Sequence, residues 1–259
     1  MKFNVATDII ISNRNFKGKM MQLFLIALIT FVGSLVQGTS GFGFALVCMS
    51  LLPFVIAFKT AVVLEAILAF IMVSYIAIRL YRHIDIRLVI PPAITAGIFS
   101  YIGISALIAI NDSLLKRIFG VLLVILAFYF VFFSEKVNIK GNVINGMSAG
   151  AISGFAGGLF SVGGPPMVVY FMAVTKDKTK YLANMQAFFT INSLTVAIMH
   201  MLKGNVTNEM IPMILIALIG VLVGTASGLY LFKKMDAKTV KYLVCALMSV
   251  SGIYMIIRG

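Results

Sequence analysis

Two clusters rich in glycine are the parts of this sequence whose residue types and spacing best suit the binding of a small solute. Glycine adopts positive φ and lets backbone approach closely, and proline can start a helix where the amide would be unpaired anyway. Each cluster therefore predicts a break in a helix, with free N–H groups and a partial positive charge at the new amino terminus. The clustered residues are Gly38, Thr39, Ser40, Gly41 and Gly43 in the first and Gly158, Ser161, Gly163, Gly164 and Pro165 in the second.

A helix amino terminus inside a membrane is an anion site that needs no cationic side chain. The hydroxyl groups of Thr39, Ser40 and Ser161 would add donors beside the amides. The alternative is that the glycines only allow helices to pack closely, as Gly-x-x-x-Gly patterns do. Because the clusters form a matched pair inside over-long apolar runs, we interpret them as the binding site of a small anionic solute.

Three further polar residues lie in strongly apolar surroundings. Glu65 is a candidate for proton coupling, because a carboxyl group within a membrane usually has a function. The alternative is an interfacial glutamate that reaches Lys59 or a lipid headgroup. Gln186 and Asn192 lie on one predicted helix, where they would line the cavity or bond neighbouring helices.

The cysteines and histidines indicate no metal site and no cofactor. Cys48 and Cys245 are far apart in uncharged stretches, without a C-x-x-C pattern or a histidine at metal-ligand spacing. Cys48 is predicted to be a small buried apolar residue. His83 and His200 are isolated, and His200, near a predicted helix end, is expected at the membrane interface.

The composition excludes a water-soluble globule. Of the 259 residues, 61% are hydrophobic and 11% are charged, whereas a soluble chain carries about 25% charged residues. The net charge of +13 comes from lysines and arginines in short gaps between apolar runs. They are typical of interfacial anchors for membrane lipids, so we predict no nucleic-acid partner. Positive potential at a cavity mouth would also concentrate an anion.

Eight stretches are long and apolar enough to be helical membrane spans of about 20 residues. Lipid satisfies no backbone hydrogen bond, so continuous hydrophobicity favours helices, and the alternation of a membrane barrel is absent. Runs 20–58 and 141–175 have 39 and 35 residues, too long for one crossing. We predict an all-α integral membrane protein in which these two runs are broken or hairpin helices.

The two halves resemble each other at nearly constant offset. The glycine clusters align at an offset of 120, and Glu65 with Gln186, Pro91 with Pro212 and Gly103 with Gly224 at an offset of 121. This pattern predicts a duplication, each copy consisting of a broken helix and three spans. The predicted divisions are a tail at 1–19, repeats at 20–134 and 143–259, and a linker at 135–142. An odd number of crossings per half would invert the second copy; an even number would not.

Charge near the amino terminus bears on orientation. Basic residues precede the first apolar run without a cleavage pattern behind it, which predicts an uncleaved cytoplasmic tail. Over the whole chain the basic residues divide almost evenly between the two sides, so the positive-inside rule adds little.

The sequence resembles the sulfite exporter TauE/SafE family over nearly the whole chain from about Met20. That family carries two copies of a G-x-x-G-x-G-G-G motif, which corresponds here to residues 38–45 and 158–165. Phe44 and Ala45 replace the last glycines of the first copy; Ser161 and Pro165 replace glycines in the second. The resemblance implies export of small anions such as sulfite, thiosulfate or organosulfonates across a bacterial inner membrane.

Two other classes of function have less support in the sequence. A membrane enzyme would need clustered acids, histidines or cysteines, and Glu65 and His200 are far apart in the sequence. A non-transporting scaffold or accessory subunit would need a surface for a partner, and the chain has no large loop to provide one. No G-x-x-x-x-G-K-[ST] motif occurs, so we expect a secondary transporter. The oligomeric state does not follow from the sequence.

Overall fold

The computed structural model describes residues 3–132, 141–231 and 237–259, with only the backbone described at 3–17, 39–40, 229 and 237–238. Within these ranges the chain forms ten α-helices and two short 3-10 turns, without strands. The helices are α1 (Phe3–Ser40), α2 (Phe44–Leu51), α3 (Phe58–Arg79), α4 (Ile86–Ala109), α5 (Asp112–Phe132), α6 (Val143–Phe160), α7 (Gly164–Val174), α8 (Lys178–Leu202), α9 (Met210–Leu231) and α10 (Ala237–Arg258).

Eight helices in the described ranges are long and apolar enough to cross a membrane, and α2 and α7 are short apolar helices. Large hydrophobic side chains are exposed along the long helices. This confirms the predicted all-α, multi-pass membrane fold. Most of the predicted linker at 135–142 lies outside the described residues, and the predicted tail is helical from Phe3 onwards.

The first over-long run is a hairpin formed by α1, α2 and the 3-10 turn that follows. At its base the Gln22 Nε2 donates to the Val55 carbonyl at 3.0 Å. Closer to the turn, Gly33 of α1 lies against Phe44 and Cys48 of α2. The chain therefore reverses direction at residues 41–43, and both arms of this first hairpin end at the same end of the bundle.

The second over-long run forms a second hairpin from α6 and α7. Gly141 lies against Val174 at the base, and Gly146 lies against the Tyr170 ring. The chain reverses at residues 161–163. Both predicted breaks are thus confirmed, and both are turns within a hairpin.

The hairpins enter the bundle from opposite ends. The first starts at the Phe58 end, where α3 and α5 begin and the Phe58 amide donates to Asp112 Oδ2 at 3.1 Å. The second starts at the Asp85 end, where α4 and α8 begin and the Asp85 amide donates to Asn184 Oδ1 at 2.7 Å. Each half adds three crossings to its hairpin, so the halves run in opposite directions. The predicted duplication, which remains a prediction, would therefore be an inverted one.

Polar caps mark the start of three helices at the Asp85 end. The side chains of Asp85, Asn142 and Asp177 accept hydrogen bonds from backbone amides in the first turns of α4, α6 and α8, at 3.0, 2.8 and 2.8 Å. These caps satisfy amides that have no partner inside the helix. The sequence thus specifies locally where each of these helices begins.

Glycines allow the closest helix contacts in the bundle. Helix α6 runs parallel to α4, and α9 runs parallel to α1, with glycines of α6 and α9 lying directly on the backbone of the partner helix. Such small-residue stripes let membrane helices approach closely. The stripes consist of Gly150, Gly154 and Gly158 on α6 and of Gly220, Gly224 and Gly228 on α9.

Candidate solute-binding site between the two hairpins

The turns of both hairpins line one cavity, which we call the central cavity. Its volume is about 70 Å³, enough for a solute of a few non-hydrogen atoms. Helices α3 and α8, which follow the two hairpins, supply the other walls. The structure therefore brings together residues that the sequence separates by more than one hundred positions. The predicted site residues that line it are Gly43, Glu65, Ser161, Gly163, Gly164, Pro165 and Asn192.

The first hairpin turn depends on two glycines and two glutamine side chains. Gly41 and Gly43 have φ of 79° and 120°, a region in which side chains other than glycine are strained. Gln37 bridges the turn, donating to the Gly41 carbonyl at 3.1 Å and accepting from the Phe44 amide at 3.1 Å. Gln186 of α8 donates to the same Gly41 carbonyl at 2.9 Å.

The bridge formed by Gln37 reduces the number of free amides that the sequence predicts at the start of α2. The sequence predicts free amides at the amino terminus of α2, but the Phe44 amide is bonded to Gln37. The second hairpin presents fewer amides still. Its helix starts at Gly164 and continues through Pro165 and Pro166, and prolines carry no N–H group.

The second hairpin turn is held by serine hydroxyl groups. Ser161 has a φ of 60°, which is unusual for a residue other than glycine. Its hydroxyl donates to the Val62 carbonyl of α3 at 3.4 Å, and Ser161 lines the central cavity together with Glu65 of the same helix. On the other side of the turn, the Ser153 hydroxyl donates to the Gly163 carbonyl.

Glu65 is inside the protein and faces the central cavity. Its side chain is 2% exposed, and Lys59 instead donates to the Ile108 carbonyl at 3.0 Å. The interfacial alternative for Glu65 is therefore wrong. Among the described residues that line the central cavity, Glu65 is the one ionisable side chain.

Asn192 and Gln186 differ in their placement. Asn192 lines the central cavity, and its Oδ1 accepts from the Ser100 hydroxyl of α4 at 3.2 Å. Gln186 is fully buried and bonds Gly41, but it is not among the lining residues. Asn192 thus fits both alternatives that the sequence left open, and Gln186 fits the bond between neighbouring elements.

Several predicted site residues lie elsewhere. Gly38 lies beside Gly228 of α9, and Gly158 lies against Ser100 of α4, so both serve helix packing. The Thr39 and Ser40 side chains lie outside the described residues. Their predicted role as donors stays a prediction.

His200 lies two residues before the end of α8, and its side chain is fully buried in the protein, so its position at the membrane interface stays a prediction. The chain after α8 folds back over the helix end. There the Asn205 amide donates to the His200 carbonyl at 2.9 Å, and the Asn205 Nδ2 lies 2.9 Å from His200 Nδ1. Cys48 is buried against Gly33, which confirms its apolar role.

A second, larger cavity adjoins the first hairpin turn at the Asp85 end, and we call it the vestibule. Its volume is about 640 Å³. Gly41 lines only the vestibule, whereas Phe42, Gly43 and Leu46 line both cavities.

Two residues of the central cavity, Phe42 and Gln37, were not predicted from the sequence. An amide side chain four residues before Gly41 in an apolar helix was the available signal for Gln37.

A bundle of membrane-spanning helices with two re-entrant hairpins that meet at an internal cavity is the architecture of a membrane transport protein. The family model described as sulfite exporter TauE/SafE matches residues 25–255, and the chain belongs to this family. It is a family of membrane transporters and not of enzymes.

A curated relative from Methanocaldococcus jannaschii is named "Probable membrane transporter protein". It is 25% identical over 196 residues, which cover 70% of this chain and 73% of the relative. No solved structure matches the chain.

Proposed function

We propose that this protein is a secondary transporter that exports small anions of the sulfite, thiosulfate or organosulfonate type. The central cavity is the proposed binding site, with the anion between the two hairpin turns. We further propose that the protein resides in a bacterial inner membrane with its amino terminus in the cytoplasm. The observation that carries the proposal is the convergence of both hairpin turns on one cavity.

The lining of this cavity supports a small and weakly held anion. Glycines at the turns leave the backbone accessible, and the side-chain NH2 group of Asn192 supplies donors. The helices α2 and α7 both begin at the cavity, so their positive dipole ends are directed towards it. No lysine or arginine occurs among the described lining residues, so the solute would not be held by a fixed opposite charge.

Glu65 supplies a basis for energy coupling. An ionised carboxyl group beside an anion is repelled, and repulsion is strong where water is scarce. We propose that a proton on Glu65 accompanies the anion through the transport cycle. Export would then run down the outward gradient of the anion and carry the proton with it, because an inward proton gradient would drive a proton and its anion inwards.

Flux of thiosulfate into proteoliposomes tests the proposal. Gly164 is the most useful position, because an added side chain there would enter the central cavity and meet only the edge of the Phe189 ring, at 3.7 Å. Gly164→Leu should fill the cavity and abolish flux. Gly97→Leu is the matched control, since Gly97 is a helical glycine with comparable space, 3.8 Å from Thr195, outside both cavities.

Variants at Gly41 or Gly163 are less informative. Gly41 has a positive φ, and a side chain at Gly163 would collide with the Ser153 backbone, so either variant would disturb folding. Normal thiosulfate flux in folded, membrane-inserted Gly164→Leu would contradict the proposed site. Absence of flux in the unaltered protein for sulfite, thiosulfate and organosulfonates alike would contradict the proposed function.

A further inference from the structure

The vestibule differs from the central cavity in its charge. Three lysines, Lys176, Lys178 and Lys241, line it together with apolar side chains, and the described lining residues include no carboxylate. Asp177 lies between two of these lysines in the sequence, but its carboxylate caps α8 by accepting from the Lys180 amide at 2.8 Å. The charged side chains among the described lining residues are therefore all cationic.

The vestibule also contains a polar atom without a partner. The Thr175 hydroxyl, at the end of α7, is buried and has no hydrogen-bond partner among the described residues. A buried hydroxyl group without a partner is costly, because it has lost its bonds to water. Thr175 and Tyr181 are the residues with hydroxyl groups among the described residues that line the vestibule.

A single aromatic side chain stands between the two cavities. Phe42 lines both, and its ring stacks on the Phe130 ring with centroids 5.5 Å apart. The vestibule thus ends where the central cavity begins. Phe42 therefore lies beside a route from one cavity to the other.

Three aromatic rings pack together towards the opposite end of the bundle. The rings of Phe58, Phe119 and Phe160 are buried there, with centroids 5.1 to 6.1 Å apart, next to the turn of the second hairpin.

We propose that the vestibule is a second anion-binding site, in which the lysines and the Thr175 hydroxyl hold the solute before it passes Phe42. This inference rests on the proposed anion transport and adds a loading step to it. Clustered positive charge at the mouth of a cavity raises the local concentration of an anion and the rate at which it binds. The loading site would contribute to the apparent affinity for the solute and leave the maximal rate unchanged.

Lysine variants assayed with thiosulfate test this step. In proteoliposomes of zwitterionic phosphatidylcholine with one protein orientation, Lys178→Gln and Lys241→Gln should each raise KM about two- to five-fold without lowering the maximal rate. Added salt should raise KM less in these variants than in the unaltered protein, because salt screens the charges that they lack. The effect should appear for flux in one direction only, because the vestibule opens at one end.

Lys180→Gln is the matched control. Lys180 lies on the same first turn of α8 and is exposed, but it does not line the vestibule. Its removal should leave KM unchanged. Equal KM values for Lys178→Gln, Lys180→Gln and the unaltered protein would overturn the vestibule site, while flux in the unaltered protein would leave the proposed transport intact.

An anionic lipid headgroup carries negative charge, as the solute does, and is attracted by the same lysines. The assay is therefore repeated in vesicles that contain phosphatidylglycerol. If the lysine variants change KM only in those vesicles, the lysines bind headgroups and the inference is overturned. A change in KM that is already present in vesicles without phosphatidylglycerol supports solute binding.

Discussion

Gln186 of α8 donates from Nε2 to the carbonyl oxygen of Gly41 at 2.9 Å, across 145 positions of the chain. The other half contains a matching contact, because the Ser161 hydroxyl of the second hairpin turn donates to the Val62 carbonyl of α3 at 3.4 Å. The alignment of the two halves pairs Glu65 with Gln186. Each hairpin turn is therefore held by the helix that follows the opposite hairpin, and the central cavity forms only when both halves are present.

Loss of the Gln37 bridge should destabilise the first hairpin more than loss of Gln186. Gln37→Leu removes two hydrogen bonds, and it leaves the Phe44 amide unpaired, at a cost of about 1–3 kcal/mol. Gln186→Leu removes one bond, and the Gly41 carbonyl keeps Gln37 as its donor. Thermal unfolding in detergent should give a lower Tm for Gln37→Leu than for Gln186→Leu. The reverse order would show that the bridge does not hold the turn.

Glu65→Gln should flatten the pH dependence of flux while the protein remains folded in the membrane. The amide keeps the size of the side chain, but it cannot exchange a proton. Flux of thiosulfate is measured in proteoliposomes over a range of pH. Glu209→Gln, which alters an exposed glutamate, is the control and should behave as the unaltered protein. An unchanged pH profile in Glu65→Gln would remove this residue from the coupling.

Two substitutions of Ser161 distinguish the effect of backbone strain on stability from the effect of the hydroxyl group on transport. Ser161→Gly and Ser161→Ala both delete the hydroxyl that contacts Val62 beside the central cavity, so both should reduce flux. Glycine relieves the positive φ of 60°, which is worth about 1–2 kcal/mol. Ser161→Gly should therefore unfold at a higher temperature than Ser161→Ala. Equal Tm values would mean that the turn relaxes in the alanine variant.

Gly158 tests whether a glycine in the second cluster serves packing alone. A methyl group there would lie against the Ser100 backbone of α4, and forcing the helices apart costs about 1–3 kcal/mol. Gly158→Ala should lower the Tm and leave the KM of the remaining flux unchanged. Gly97→Ala, with space for a methyl group, should change neither. A raised KM in Gly158→Ala would return Gly158 to the binding site.

Much of the fold could be predicted from local features. Apolar runs of about 20 residues specify membrane helices, because a helix satisfies its own hydrogen bonds in lipid. The two over-long runs with central glycines predicted the breaks at 41–43 and 161–163. Hydropathy does not indicate whether the chain continues or reverses after a break, so it did not distinguish a hairpin from a kinked helix that crosses the membrane. That distinction came from contacts such as Gln22 with Val55.

The site was predicted less completely than the fold. Gly158 and Gly164 belong to one cluster, yet one packs on α4 and the other lines the central cavity. Which way each glycine faces depends on the partner helix and not on its neighbours in sequence. Gln37 was missed for the same reason, and the burial of His200 was not predicted because the chain that contacts it lies beyond the helix end.

The sequence by itself determined a helical membrane protein with two interrupted helices, because lipid imposes local requirements on length, hydrophobicity and backbone hydrogen bonding. The tertiary structure alone decided that both interruptions face one cavity, that Glu65 lies inside it, and that three lysines line the vestibule. These features depend on contacts between residues far apart in the chain. Such contacts depend on how the helices pack against one another, and local sequence patterns do not specify this packing.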